Sequence, residues 1–148
     1  LAGANLSSAN MSADKISEAN LIKANLSNAN LSNADLSESY MTNANLSRAN
    51  LAKANLAQST MLNANLRETN LAGANFSMAN LNGADLTGAN AKGAVFAMTS
   101  LIKANLTSVD LTEATLIGTD LRNTILEGAR FCKTTMPDRS INNSGCAK

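Results

Sequence analysis

The side chains that could do chemistry are few, and their spacing does not assemble them. The chain has no histidine, which removes the commonest general base, the usual zinc partner and any Ser-His or Cys-His pair. Its two cysteines, Cys132 and Cys146, cannot make a zinc site alone. Glycines such as Gly88 and Gly93 are not followed by the Gly-Lys-Ser/Thr of a phosphate-binding loop. Carboxylates are the last candidates, because a pair of them suffices for glycoside hydrolysis. Glu18 and Glu38 lie at equivalent positions with Asp35 close by, but catalysis needs a cleft that excludes water. The numerous Asn-Leu-Ser triplets match a glycosylation pattern only because a repeat generates them. The expectation is a protein that is not an enzyme and carries no catalytic residue, metal or cofactor.

The elements behind these residues follow from composition and period. The chain of 148 residues is 45% hydrophobic but only 3% aromatic, so its core is built from small aliphatic side chains. With 12 basic and 11 acidic residues the formal net charge is +1, and nothing in that balance recommends nucleic acid or an anionic membrane as partner. No run of 18 apolar residues is present, so no membrane span is expected. Leu1 already lies inside the repeat, without an initiator Met or signal peptide, which suggests a processed or excised form.

From Leu1 a large apolar residue recurs every fifth position: Leu6, Met11, Ile16, Leu21 and so on to Phe131 and Met136, with Ala91 the one exception. Two residues earlier stands a small residue, mostly Ala, and one residue earlier stands Asn or Asp in most repeats. A five-residue period turns about 500° round an α-helix and scatters the leucines over its whole surface. In a strand it would send successive leucines to opposite faces. A chain that buries every fifth residue must therefore turn at regular intervals, as a solenoid does.

Stretches such as Ala24-Asn25-Leu26-Ser27-Asn28 and Ala34-Asp35-Leu36-Ser37-Glu38 resemble the pentapeptide-repeat family over nearly the whole chain. That resemblance implies an all-β fold, a right-handed quadrilateral β-helix with twenty residues per coil and both the large and the small residue pointing inward. Residues 1–135 then make about seven coils, a rod roughly 30 to 35 Å long at the usual strand spacing. Residues 136–148, where the repeat decays and Pro137 cannot donate to a ladder, are expected to form a C-terminal cap. This end resembles those of cyanobacterial and chloroplast-lumen members. A Cys132–Cys146 disulfide would place the protein in the thylakoid lumen or periplasm, and two free thiols in the cytoplasm; both remain open at this stage.

Placing the sequence on four faces, numbered from the one that carries Leu1, separates regular from irregular surface. The second and third faces carry near-perfect columns of Asn and Asp, Asn5 to Asn105 and Asn10 to Asp110, read as scaffold. The first and fourth break the pattern, with Tyr40, Thr60, Ser100 and Val95 in the amide position and Ser or Thr in several small inward positions. Apolar residues stand there where exposure is expected, and Tyr40, Leu62, Met78, Met98 and Ile102 form the candidate partner surface. Ala91 would leave a gap that Phe76 and Phe96 are expected to fill. Asp14 falls on a small inward position, which suggests a distorted first coil.

These features support a non-enzymatic scaffold with a protein partner of unknown identity. The alternative is the activity of some family members, protection of DNA gyrase by mimicry of duplex DNA, which the net charge of +1 disfavours. An ice- or surface-binding rod would need a regular Thr array, whereas Thr42, Thr87, Thr107 and Thr112 are scattered. A homodimer through one end of the rod is also compatible with the sequence.

Overall fold

The computed structural model describes residues 1–147. Each pentapeptide makes one short extended segment and one turn, and parallel bridges pair each residue of the amide column with the one twenty residues on, from Asn5↔Asn25 to Thr115↔Thr135. The twenty-residue coil that the family resemblance implied is thus present as a direct pairing register. Between Leu21 and Leu116 the large residue and the small residue of every repeat are buried. The core is one continuous column, with Leu6, Met11, Ile16, Leu121, Leu126, Phe131 and Met136 partly buried at its two ends.

Buried backbone must be hydrogen-bonded, and the repeat answers that demand in five steps. In the pentapeptide that starts at Leu46, the amides of Leu46 and Arg48 donate to the next coil, to Asn65 O (2.8 Å) and Arg67 O (2.9 Å). Asn50 N donates to the preceding coil at Ala29 O (2.9 Å), and Ala49 N closes the turn on Leu46 O (3.0 Å). The remaining amide, Ser47 N, donates to Asn45 Oδ1 at 3.1 Å. The Asn or Asp before most of the leucines therefore serves the corner it precedes, since its side-chain oxygen takes the amide that no backbone carbonyl reaches. The same amides then donate Nδ2 to the Oδ1 one coil below, as in Asn45 to Asn25 (3.3 Å) and Asn70 to Asn50 (3.1 Å).

In the coils the third residue of every turn sits at positive φ, near 53–60° where it is not glycine. This conformation favours Gly and tolerates Asn. Gly73, Gly83 and Asn28 fit it, whereas Lys53 (φ 58°) bears the steric cost of a Cβ. Lys53→Gly should raise stability by about 0.5–1 kcal/mol, and Gly73→Ala should lower it by about 1 kcal/mol. A Cβ at Gly73 meets Lys53 Cγ only at 3.5 Å, an ordinary contact, so the loss measured by chemical denaturation reports backbone alone.

One detail differs from the sequence expectation. The first coil is not distorted around Asp14, because Asp35 N bonds Asp14 O (2.9 Å) and Asp14 N closes its turn on Met11 O (3.3 Å). Asp14 is exposed, so its charge is not buried in the core and demands no distortion of the coil. At the other end the five-residue frame stops being inward at Ile141, which is 57% exposed. There the chain folds back as an antiparallel pair, β1 (Thr134–Thr135) with β2 (Ile141–Asn142), Thr135 opposite Ile141.

Candidate functional site: the irregular face and the cap

The columns show which surface is occupied by its own hydrogen bonds and which is not. On the second and third faces the amide ladders run coil to coil and each Oδ1 also takes a corner amide. Where an Asp enters a ladder it has no N–H to pass on, and a cation fills the position: Arg67 pairs with Asp85 (3.0 Å) and Lys92 with Asp110 (3.4 Å). On the first face Arg122 pairs with Asp120 (2.7 Å).

The first face lacks the ladder. Tyr40, Thr60 and Ser100 replace three of its amides, and Asn82 in the neighbouring corner takes over one duty, accepting from Ser100 Oγ (2.6 Å) and Ile102 N (3.0 Å). Between Leu21 and Leu121 the corner amides without an acceptor among the described residues are Thr42, Leu62, Ala97 and Ile117. All four lie in the two corners that border this face. The Thr60 hydroxyl and the Asn80 amide nitrogen likewise bond no other described group of the protein.

The structure places the five predicted surface residues around that same face. Met78 and Met98, 55% and 68% exposed, stand one coil apart in the corner before it. Leu62 and Ile102, half-buried, stand two coils apart in the corner after it, and Tyr40 (52% exposed) lies on the face itself. Leu62, Asn63, Asn82, Gly83, Ile102 and Lys103 line a shallow recess of about 330 Å³. Sequence reasoning missed the unengaged donors, although the loss of Asn before Met41, Met61 and Phe96 is their signal.

The buried hydroxyls beside this face have structural work. Thr99 Oγ1 and Thr119 Oγ1 donate to Phe76 O (2.7 Å) and Phe96 O (2.6 Å) in the coil below, and Ser59 Oγ donates to Leu56 O (2.7 Å). They are internally satisfied and offer nothing to a ligand.

At the C-terminal end Cys132 and Cys146 are joined by a disulfide, with Cα atoms 4.6 Å apart. Gly145 N donates to Phe131 O (2.6 Å) and Lys133 N to Asn143 Oδ1 (2.9 Å), so the returning segment lies along the last coil. A side chain at Gly145 would bring its Cβ within 2.9 Å of Phe131 N. Residues 134–147 cover part of the coil end, and residue 148 of the expected cap lies outside the described residues.

Several carboxyls are held below their ordinary range. Hydrogen bonds from the Ser37 hydroxyl and amide lower Asp35, and Arg122 lowers Asp120. Burial pushes Asp85 upward, but donation from Thr87 and Arg67 outweighs it. Groups with lowered pKa contribute stability above their unfolded values and lose it as pH falls through the folded ones. Thermal unfolding should therefore be flat with pH from 7 down to about 5, with the midpoint falling below about pH 4; a midpoint unchanged at pH 3 would contradict these assignments.

A corner-turning β-helix whose surface varies over an invariant core defines a repeat solenoid, a class whose variable part is its exterior. The pentapeptide repeats family model matches in eight copies, over residues 15–52, 49–88, 79–116, 89–128 and 99–136, and the chain belongs to that family. It is similar to the pentapeptide repeat protein Rfr23 from the cyanobacterium Cyanothece 51142: 35% identity, TM-score 0.46, covering 71% of this chain and 58% of that one. It is similar to a pentapeptide repeat protein from the Arabidopsis thaliana thylakoid lumen, at 28% identity and TM-score 0.42, covering 76% and 68%. Likeness to QnrB1, a plasmid-mediated fluoroquinolone resistance protein, is 19% in identity with a TM-score of 0.52, covering 82% and 67%, and shows the shared right-handed β-helical fold. No curated protein sequence matches significantly.

Proposed function

We propose that this chain is a non-enzymatic scaffold, a quadrilateral rod of about seven coils, roughly 30–35 Å long, that binds a protein through its first face. The observation that carries this reading is the cluster of exposed Tyr40, Met78 and Met98 with half-buried Leu62 and Ile102 around the one face that lacks an amide ladder. Between residues 57 and 118 the only ionised side chain on the first face and its corners is Lys103. Depletion of charge with enrichment of Met, here Met78 and Met98, is the composition of an interface core. The segment expected as a cap, 136–148, covers part of one end through its described residues, 136–147, and the Cys132–Cys146 disulfide supports residence in an oxidising compartment, thylakoid lumen or periplasm rather than cytoplasm.

Mimicry of duplex DNA is the weaker reading. A mimic needs rows of uncompensated negative charge, whereas Glu68, Asp85, Asp110, Glu113 and Asp120 each lie within 4.0 Å of a basic side chain.

The test is affinity capture from the native source with wild type, Leu62→Lys/Met98→Lys and a control, Ala52→Lys, in a corner bordering the third face. Partners retained by wild type and the control should be lost from the double variant. Equal capture by all three would refute the first face as the contact surface.

A further inference from the structure

The two edges of the first face carry opposite charge. From residue 17 to residue 123 the corner that leads into the face has Glu18 and Glu38 and no cation, while the corner that leads out of it has Lys23, Lys103 and Arg122 and no carboxylate. Arg122 is bonded to Asp120 on the face itself. Glu18, Glu38, Lys23 and Lys103 form no ion pair among the described residues. The apolar residues divide in the same way. Met78 and Met98 project from the entry edge, and the exit edge holds Leu62 and Ile102 with the recess over Asn82 and Gly83 between them.

Opposed features on the two edges stand at one level. Residues five apart differ by a quarter of a coil, about 1.2 Å along the rod at the usual strand spacing. Met78 is therefore level with Gly83 in the recess, Glu18 with Lys23, and Glu38 with Asn43, beside the Thr42 amide that has no acceptor. A two-fold axis parallel to the rod lays the entry edge of one molecule on the exit edge of another at the same level, an isologous contact. Each Met78 then meets a recess and each Glu18 a lysine. In the central column Tyr40 meets its own mate in offset stacking, and Asp120 meets its mate with Arg122 already bonded to each. A two-fold axis across the rod would set each edge against itself, so that Glu18 and Glu38 would face an edge with no cation and the recess would face no methionine.

We infer that the first face pairs with the same face of a second copy of this chain, in a parallel two-fold dimer with Met78 of each copy seated between Leu62 and Ile102 of the other. This rests on the reading of the first face as the contact surface, and names what occupies it. A face five residues wide and about seven coils long measures roughly 16 by 30–35 Å. Two such faces bury about 1,000 Å² together, the low end for a specific interface. The dimer is therefore reversible, and its population follows protein concentration.

The test is sedimentation velocity of the 148-residue chain over a concentration series. Wild type and Ala52→Lys should show the same monomer–dimer equilibrium, and Met78→Lys should raise the dissociation constant at least tenfold. Glu18→Lys should weaken pairing several-fold, and the exchanged pair Glu18→Lys/Lys23→Glu should restore it. Orientation is read with a short bis-maleimide: an equimolar mixture of Met98→Cys and Lys103→Cys should give covalent dimer, and either variant alone should give little. A wild-type chain that stays monomeric throughout, an unchanged dissociation constant in Met78→Lys, or cross-linking that is as strong in either single variant would overturn the inference; circular dichroism of each variant excludes loss of fold as the cause. If the capture experiment depends on Leu62 and Met98 while the chain stays monomeric, self-pairing fails and the contact surface stands for a different protein. Capture independent of both residues removes the contact surface itself.

Discussion

Phe96→Ala should destabilise the rod by about 3–5 kcal/mol, toward the upper end of the range for a deleted core phenyl. Phe76 and Phe96 stack with ring centroids 5.0 Å apart and planes within 4° of parallel, and both are fully buried. Ala91 lies in the same coil as Phe96, on the adjacent face, and is also fully buried. Removing the ring would leave alanine at two of the large inward positions of one layer, in a core whose backbone is pinned at every corner, so collapse into the space is limited. Denaturant unfolding measures the loss, and a cost under about 1 kcal/mol would mean that the ring is not filling that layer. The sharper version is a double-mutant cycle. Ala91→Leu alone should cost about 1–3 kcal/mol by overpacking, and in a Phe96→Leu background should cost far less. Additive effects would show that the two positions do not share space.

Removing the disulfide is the second large effect. The bond closes a loop of sequence separation 14, and a loop of that size is worth about 3 kcal/mol. Cys132→Ser should lose roughly this amount, but locally, because stability in a solenoid is set by nearest-neighbour contacts. Amide exchange should accelerate from Thr134 to Cys146 while the coils around Leu46 and Leu66 keep wild-type protection. Exchange that rises along the whole rod would instead make the cap a determinant of global stability.

The fold was legible because every leucine from Leu21 to Leu116 except Leu62 stands in one frame, and only a turning chain can bury such a frame. Four of the five surface residues were placed by the assumption of twenty residues per coil, which brings Met78 beside Met98 and Leu62 into line with Ile102. Tyr40 was legible as a break in a column. The structural duty of the Asn columns was legible in outline, but a preference for Asn before Leu does not reveal which amide needs its oxygen; that follows only once the corner is built. The pairing of Cys132 with Cys146 was legible only as one of two open readings, because the sequence does not separate a disulfide from two free thiols until the chain is seen to reverse at β1 and β2. Ser39 and Thr99 read as irregularities, yet their hydroxyls serve carbonyls 23 residues back.

The pairing of each residue with the one twenty positions on has a consequence for how such a chain can change length. Loss or duplication of twenty residues returns every later side chain to its own face and merely shortens or lengthens the rod. Loss of five residues would keep the core intact, since one leucine replaces another, but would rotate everything beyond it by a quarter turn. The Asn column ending at Asn65 would then continue onto a column that belonged to a different face. Growth of this protein is therefore quantised at two levels: five residues preserve burial, and twenty preserve identity of surface.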